Sequence, residues 1–186
     1  MTESRWTRGR LLVATPLLGD SNFHRTVVFM LEHTEEGALG LVLNRPLEVD
    51  LEDALPEWSA YCAAPATVFG GGPVQPEAAF CLARLREPHP SEGFTPVLGD
   101  LGIVDLGHAP SDVPGEVTAS RVFAGYAGWS PAQLEAELAE TAWWVVDAEP
   151  DDVMTPDPDS LWRRVLRRQR GILSWMSTYP DDPMDN

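Results

Sequence analysis

Residues 26–44 constrain the fold more than any other stretch. The run Thr-Val-Val-Phe-Met-Leu-Glu-His over 26–33 is answered by Ala-Leu-Gly-Leu-Val-Leu-Asn over 38–44. β-Branched and aromatic side chains dominate the first arm, a composition that suits a pleated strand. Between the arms, Thr34-Glu35-Glu36-Gly37 reads as a turn with glycine at the position needing positive φ. The two arms form a β-hairpin. Neither alternates apolar with polar residues, and a strand apolar throughout is buried on both faces.

The chain can supply that burial. It has 186 residues, 44% of them hydrophobic and 23% charged, which fits one domain with its own core. We expect an N-terminal arm over 1–8, a single domain over 9–179 and a frayed acidic tail over 180–186. Further strands are expected at 10–14, 66–69, 119–124 and 143–146. The Pro-, Gly- and Asp-rich stretch from Glu87 to Pro114 reads as loop with one strand inside it, near Leu101–Leu106. Pro46 is expected to end the second hairpin arm, and 50–55 to make a helical turn or two stopped by Pro56. Residues 77–85 fit helix and strand about equally.

Residues 121–138 read as a strand running into a Gly125-Tyr126-Ala127-Gly128-Trp129 bend and then an amphipathic helix. Ser130 is the expected N-cap, with Pro131 at the first helical position and Gln133 closing a capping box. A last helix starts near Ser160, with Leu161, Trp162, Val165, Leu166, Ile172 and Leu173 at helical spacing. Gly171 weakens it late.

Charge narrows the chemistry. The formal net charge is −16, and all thirteen basic residues are arginine. With no lysine, a Walker-type phosphate loop, a Schiff-base enzyme and a Ser-x-x-Lys enzyme are all excluded. So acidic a surface repels phosphate backbones and anionic lipid heads. Nucleic acid and membranes are therefore not expected partners. The residues Met1–Trp6 lack the apolar stretch of a signal peptide, and no run approaches the roughly twenty apolar residues of a membrane helix. A cytoplasmic location is expected.

Cys62 and Cys81 are expected to be reduced and partly buried. No metal or other cofactor is expected. There is no Cys-x-x-Cys pair, and His24 and His33 stand an odd number of residues apart, on opposite faces of a regular strand. The arginines Arg163, Arg164, Arg167, Arg168 and Arg170 cluster on the last helix. They suit either phosphate contacts or, more simply, a solvated face neutralised by the acidic segment Asp147–Asp159.

Three stretches can build a binding site. Gly70-Gly71-Gly72-Pro73 can cradle an anion through backbone N–H groups or serve as a structural turn. Asn44-Arg45 ends a buried strand; Arg45 can hold a carboxylate or phosphate bidentately, or pair with one of the chain's own acids. Tyr126, Gly128 and Trp129 can form a ligand-stacking wall or seal a core corner, and the helix that follows can offer its N-terminus to an anion. The ligand-binding candidates are thus Asn44, Arg45, Gly71, Gly72, Tyr126, Gly128 and Trp129. No catalytic residue is nominated: no Gly-x-Ser-x-Gly or Cys-Gly-x-Cys pattern is present.

The order of motifs resembles the YqgE/AlgH family of bacterial proteins. Those motifs are Leu11-Leu12-Val13-Ala14-Thr15-Pro16, Phe23-His24-Arg25-Thr26-Val27-Val28, Gly37 to Pro46, Gly71-Gly72-Pro73, and Gly125-Tyr126-Ala127-Gly128-Trp129 followed by Gln133-Leu134-Glu135. The resemblance spans about residues 9–175. It implies a cytosolic α+β protein with a forked, mostly antiparallel β-sheet forming a pseudo-barrel and helices packed outside, and it makes 78–84 a strand. It brings no catalytic residues, although members are often labelled transcriptional regulators. This chain departs twice: Ala132 stands where relatives place glycine, and Ser111–Ala119, with Pro114-Gly115, is short where relatives tend to have a helix.

Together these readings point to a non-catalytic protein with a regulatory role, acting through a protein partner or a small anionic ligand. The alternatives are a DNA-binding regulator and an enzyme acting on a phosphorylated or carboxylated small molecule.

Overall fold

The computed structural model describes residues 6–181. The first five residues of the expected arm and residues 182–186 of the expected tail lie outside them. Ten strands are present among the described residues: β1 (Arg10–Ala14), β2 (Val27–Thr34), β3 (Gly37–Val42), β4 (Pro46–Asp50), β5 (Thr67–Gly70), β6 (Val74–Leu85), β7 (Phe94–Leu98), β8 (Leu101–Val104), β9 (Val117–Trp129) and β10 (Trp143–Asp147). The helices are short: α1 (Leu51–Ala54), α2 (Pro56–Ser59), α3 (Gln133–Ala139), α4 (Pro150–Val153), α5 (Leu161–Arg167) and α6 (Ile172–Met176).

The strands join in the order β10-β1-β2-β3-β9-β6-β8-β7. All of these neighbours are antiparallel, whereas β5 joins β9 in parallel. The fork lies on β9. One edge of β9 pairs along its length with β6; the other takes β5 at Phe123 and Ala124, then β3 at Ala127–Trp129. The fold is α+β, a curled and forked sheet with helices against its faces.

The hairpin is buried on both sides, as its composition requires. Leu11, Val13, Val27, Phe29 and Leu41 pack with Leu161, Trp162 and Val165 of α5. Their sequence neighbours Leu12, Val28, Met30 and Val42 pack on the opposite face with Leu134 of α3 and Trp143. Each such aliphatic side chain contributes about 1.5–3 kcal/mol by leaving water, so alternate residues of one strand anchor helices on opposite faces. A third cluster, around Leu51, Trp58, Cys81, Val104 and Val122, fills the far end.

Several elements differ from the sequence reading. Pro46 does not simply close the hairpin arm: β3 stops at Val42, and Pro46 opens β4, all five residues of which are exposed. A strand with no buried face carries no hydrophobic period to read. Pro56 begins α2 as well as ending α1. The loop-rich region holds two strands, and the unexpected one, β7, contains Pro96, a residue confined to edges because it cannot donate to a ladder. Residues 125–129 are not a bend between strand and helix. They are the end of β9, whose left-handed kink at Gly125 (φ 73°) leaves the pairing with β3 intact.

Helix α3 starts at Gln133, not at 131. Its N-cap is Ala132, held at φ 64°, where glycine is favoured. Half of the expected capping box survives: the Gln133 side chain accepts the Ser130 backbone N–H at 3.0 Å. Gly171, at φ 67°, does more than weaken the last helix; it separates α5 from α6. Over 111–119 the chain forms a 3-10 turn, Pro110–Asp112, and then the start of β9 from Val117, with no α-helix.

Candidate functional site

The seven nominated residues fall into three separate environments. Gly71 and Gly72 are packing residues. The Gly71 N–H donates to Ala124 and its carbonyl accepts from Val42. A Cβ on Gly71 would lie 2.3 Å from the Gly125 carbonyl oxygen, and one on Gly72 would lie 2.2 Å from the Tyr126 carbonyl carbon. These glycines let two backbones touch where the sheet forks, and the Gly71 N–H is taken by the Ala124 carbonyl.

Tyr126, Gly128 and Trp129 line a hollow of about 470 Å³ beside the β2–β3 turn. Glu32 and Glu36 share its lining, so its electrostatics disfavour an anion. Trp129 is a core residue: its indole N–H donates to Glu137 at 2.9 Å, and its ring meets Trp143 edge-on at 5.9 Å. Tyr126 packs edge-on against Phe80. The adjoining helix α3 has only seven residues, and Ser130 already engages the Gln133 side chain.

Asn44 and Arg45 lie elsewhere, in a hollow of about 300 Å³ that they share with His24, Arg25, Asp159 and Arg163. Asn44 is buried and bridges two strands: its Oδ1 accepts from Val27 N–H at 3.1 Å and its Nδ2 donates to the Arg25 carbonyl at 2.8 Å. The second bond restrains an unusual backbone. Arg25 has φ 53°, a conformation that costs a non-glycine residue of the order of 1–3 kcal/mol and tends to occur where a side chain must be aimed. Its guanidinium stacks 4.5 Å over the Trp162 ring and donates to the Tyr179 and Pro180 carbonyls.

Three guanidiniums therefore meet in one hollow, brought from the start of β2, the end of β3 and helix α5. Arg45 donates to the His24 and Asn44 carbonyls and faces Asp159. Burial lowers the pKa of both Arg25 and Arg45, which marks incomplete hydration. Asp181 sits between the other two, its Oδ1 at 2.8 Å from Arg25 Nη1 and 3.0 Å from Arg163 Nη2. That carboxylate is 81% exposed. Neither the tail nor Arg25 and Arg163 could be linked to Arg45 from sequence; they are far apart along the chain, and only the left-handed Arg25 and the docked tail bring them together.

The remaining helix arginines divide. Arg168 forms a two-pronged pair with buried Asp152, both contacts at 2.6 Å, and that carboxylate raises its pKa. Arg164 donates to the Thr155 hydroxyl. Arg167 and Arg170 are exposed and take no part in these pairs. Of the histidines, His24 lines the arginine hollow, while His33 is buried against Thr7. Cys62 and Cys81 are free thiols, and burial raises both pKa values. No helix among the described residues is long and apolar enough to cross a membrane.

A forked sheet of ten described strands, with an arginine-lined hollow at the mouth of its hairpin, defines an α+β protein. Sequence comparison gives it a family. The profile of the AlgH-like family matches residues 11–174, and the chain belongs to that family. It is 52% identical to a UPF0301 protein of Streptomyces coelicolor, over 100% of this chain and 98% of that one. It is 45% identical to a UPF0301 protein of Thermobifida fusca, over 96% and 94% of the two chains. Among solved structures, it is similar to the crystal structure of a Corynebacterium diphtheriae protein (TM-score 0.88, 30% identity, 96% and 95% coverage). It is also similar to the solution structure of the AlgH protein from Pseudomonas aeruginosa (TM-score 0.66, 28% identity, 98% of each chain).

Proposed function

We propose that this chain is a non-catalytic cytoplasmic binding protein that takes a small anionic ligand in the hollow of Arg25, Arg45 and Arg163. One observation carries the reading: in a chain of net charge −16, three guanidiniums converge on one concavity, and an exposed carboxylate already bridges two of them. Guanidinium groups recognise carboxylate and phosphate through paired, charge-assisted hydrogen bonds. Asn44 acts as a positioning residue by fixing the Arg25 backbone. The free thiols support the cytoplasmic assignment.

Thermal denaturation at low salt across a panel of phosphate, pyrophosphate and phosphorylated metabolites tests it. A ligand at a hundredfold excess over its Kd stabilises by about 2.7 kcal/mol, roughly 5–10 °C for a chain of this size. The expected result is a saturable shift that Arg45→Ala or Arg163→Ala removes. No shift anywhere in the panel, or the same shift in both variants, overturns the reading.

A protein partner is the second reading, supported by a different corner. Ile172 and Trp175 of α6 are 75% and 79% exposed, and exposed Arg167 and Arg170 precede them. Aromatic and arginine side chains are the usual anchors of interfaces. A duplex-binding regulator draws less support, because Arg164 and Arg168 are engaged by the chain's own oxygens and the net charge is −16. Retardation of duplex DNA that weakens steeply with salt would reverse that ranking.

A further inference from the structure

The arginine hollow has a neighbour. A smaller cavity of about 80 Å³ adjoins it, walled by Ala14, Pro16, Tyr179 and Pro180. The two cavities share His24, Arg25, Trp162 and Asp181. The small chamber is firmly built. Trp162 is buried and borders both cavities, and its indole N–H donates to the Ala14 carbonyl at 2.9 Å, so its polar edge is satisfied. Arg25 stands at the junction, stacked on that ring and pointing its Nη1 at Asp181.

Resting on the anion-binding reading above, we infer that the ligand is an organic phosphate with a compact apolar group. The phosphate replaces the Asp181 carboxylate between Arg25 and Arg163, and the apolar group enters the chamber against Trp162. Two features select this class. Three guanidiniums favour a dianion over a carboxylate, since each can donate to a separate oxygen. The adjoining chamber is far smaller than the basic one, and Ala14, Pro16, Trp162, Tyr179 and Pro180 give it an apolar wall beside Thr15, His24 and Arg25, so it admits a branched alkyl group or part of a single ring. In the free protein Asp181 is the competitor for the head. It holds the tail across the site with the bonds from Arg25 to the Tyr179 and Pro180 carbonyls, and the ligand must displace it.

Calorimetric titration of the full chain with inorganic phosphate, phenyl phosphate and benzoate tests this. Phenyl phosphate is expected to bind at least about tenfold tighter than either of the others, reflecting apolar burial added to a dianionic head. Asp181→Asn is expected to tighten phosphate and phenyl phosphate alike by several-fold. Equal affinity for phosphate and phenyl phosphate overturns the apolar chamber and leaves the anion-binding function standing. Benzoate matching phenyl phosphate overturns the phosphate head. An Asp181→Asn protein with unchanged affinities overturns the competition. Binding of none of the three removes the inference together with the function on which it rests.

Discussion

Arg121 and Arg25 meet protein oxygen in opposite ways. Arg121 is 0% exposed and donates to four carbonyls, those of Ala63, Ala64, Val153 and Thr155, while lying 4.3 Å over the Phe69 ring. No carboxylate pairs with it among the described residues, and burial lowers its pKa to about 10. Its hydrogen bonds are inward and used, so it pins the Ala63–Ala64 loop and the α4 end to β9. Arg25, Arg45 and Arg163 are also tied to carbonyls, but on one side only; their other side faces a hollow lined by the carboxylates of Asp159 and Asp181. The same residue type is a fastener where its terminal nitrogens are taken by four carbonyls in a dry core, although its Nε finds no partner there, and a receptor where donors remain at a wet opening.

The largest effect that would break this comparison is at Arg121. Arg121→Met removes the donor from four buried carbonyls, and we expect a loss on the order of 4 kcal/mol in urea denaturation. Arg121→Lys, with a compact ammonium in place of the fork, should recover only part of it. A loss under about 1 kcal/mol would mean that water satisfies those carbonyls and that the core is not dry.

Asn44→Ala comes next. It leaves Val27 N–H and the Arg25 carbonyl without their buried partner, a cost of about 2–3 kcal/mol. The same change should weaken anion binding by freeing the left-handed Arg25. Lost stability with unchanged ligand affinity would reduce Asn44 to a strand clip.

The thiols report on the dry side. Burial raises the pKa of Cys81 far above its ordinary 9.0, so above pH 9 the folded chain keeps a proton that the unfolded chain releases. Stability should then fall as pH rises, by about 1 kcal/mol at pH 10, and Cys81→Ala should flatten that limb. Native labelling should leave Cys81 untouched and modify Cys62 slowly, because burial also raises its pKa.

The smallest change in stability is expected at Arg45→Ala. A partly exposed arginine facing a surface acid contributes less than about 1 kcal/mol, yet its removal should abolish the ligand-induced rise in melting temperature. An Arg45→Ala protein as unstable as Arg121→Met would erase the distinction between fastener and receptor.

Much of the frame was legible because burial leaves a pattern. The two-faced hairpin, β1, β10 and α5 all announce themselves through apolar runs. β4 and β7 did not: one has no buried face, and the other carries a proline. The end of β9 reads as a bend because Gly125 and Gly128 look like turn residues, whereas both lie within the strand and Gly125 permits close approach to Gly72 at the fork. Of the site, only the strand-end pair Asn44-Arg45 could be picked out, through its position after a buried run. Arg163 looked like one solvated arginine among five, and Arg25 gave no sign of its backbone geometry. Convergence of distant segments is a property of topology, and no local window contains it.

The division between the two kinds of arginine is tested most directly by side-chain nuclear magnetic resonance. Arginine Nε–H signals of isotope-labelled protein would be followed during a phosphate titration at low salt. The account predicts saturable shifts for Arg25, Arg45 and Arg163 at one common affinity, with Arg121 unmoved. Shifts that never saturate, or that spread evenly over Arg167, Arg170 and the other exposed arginines, would contradict it.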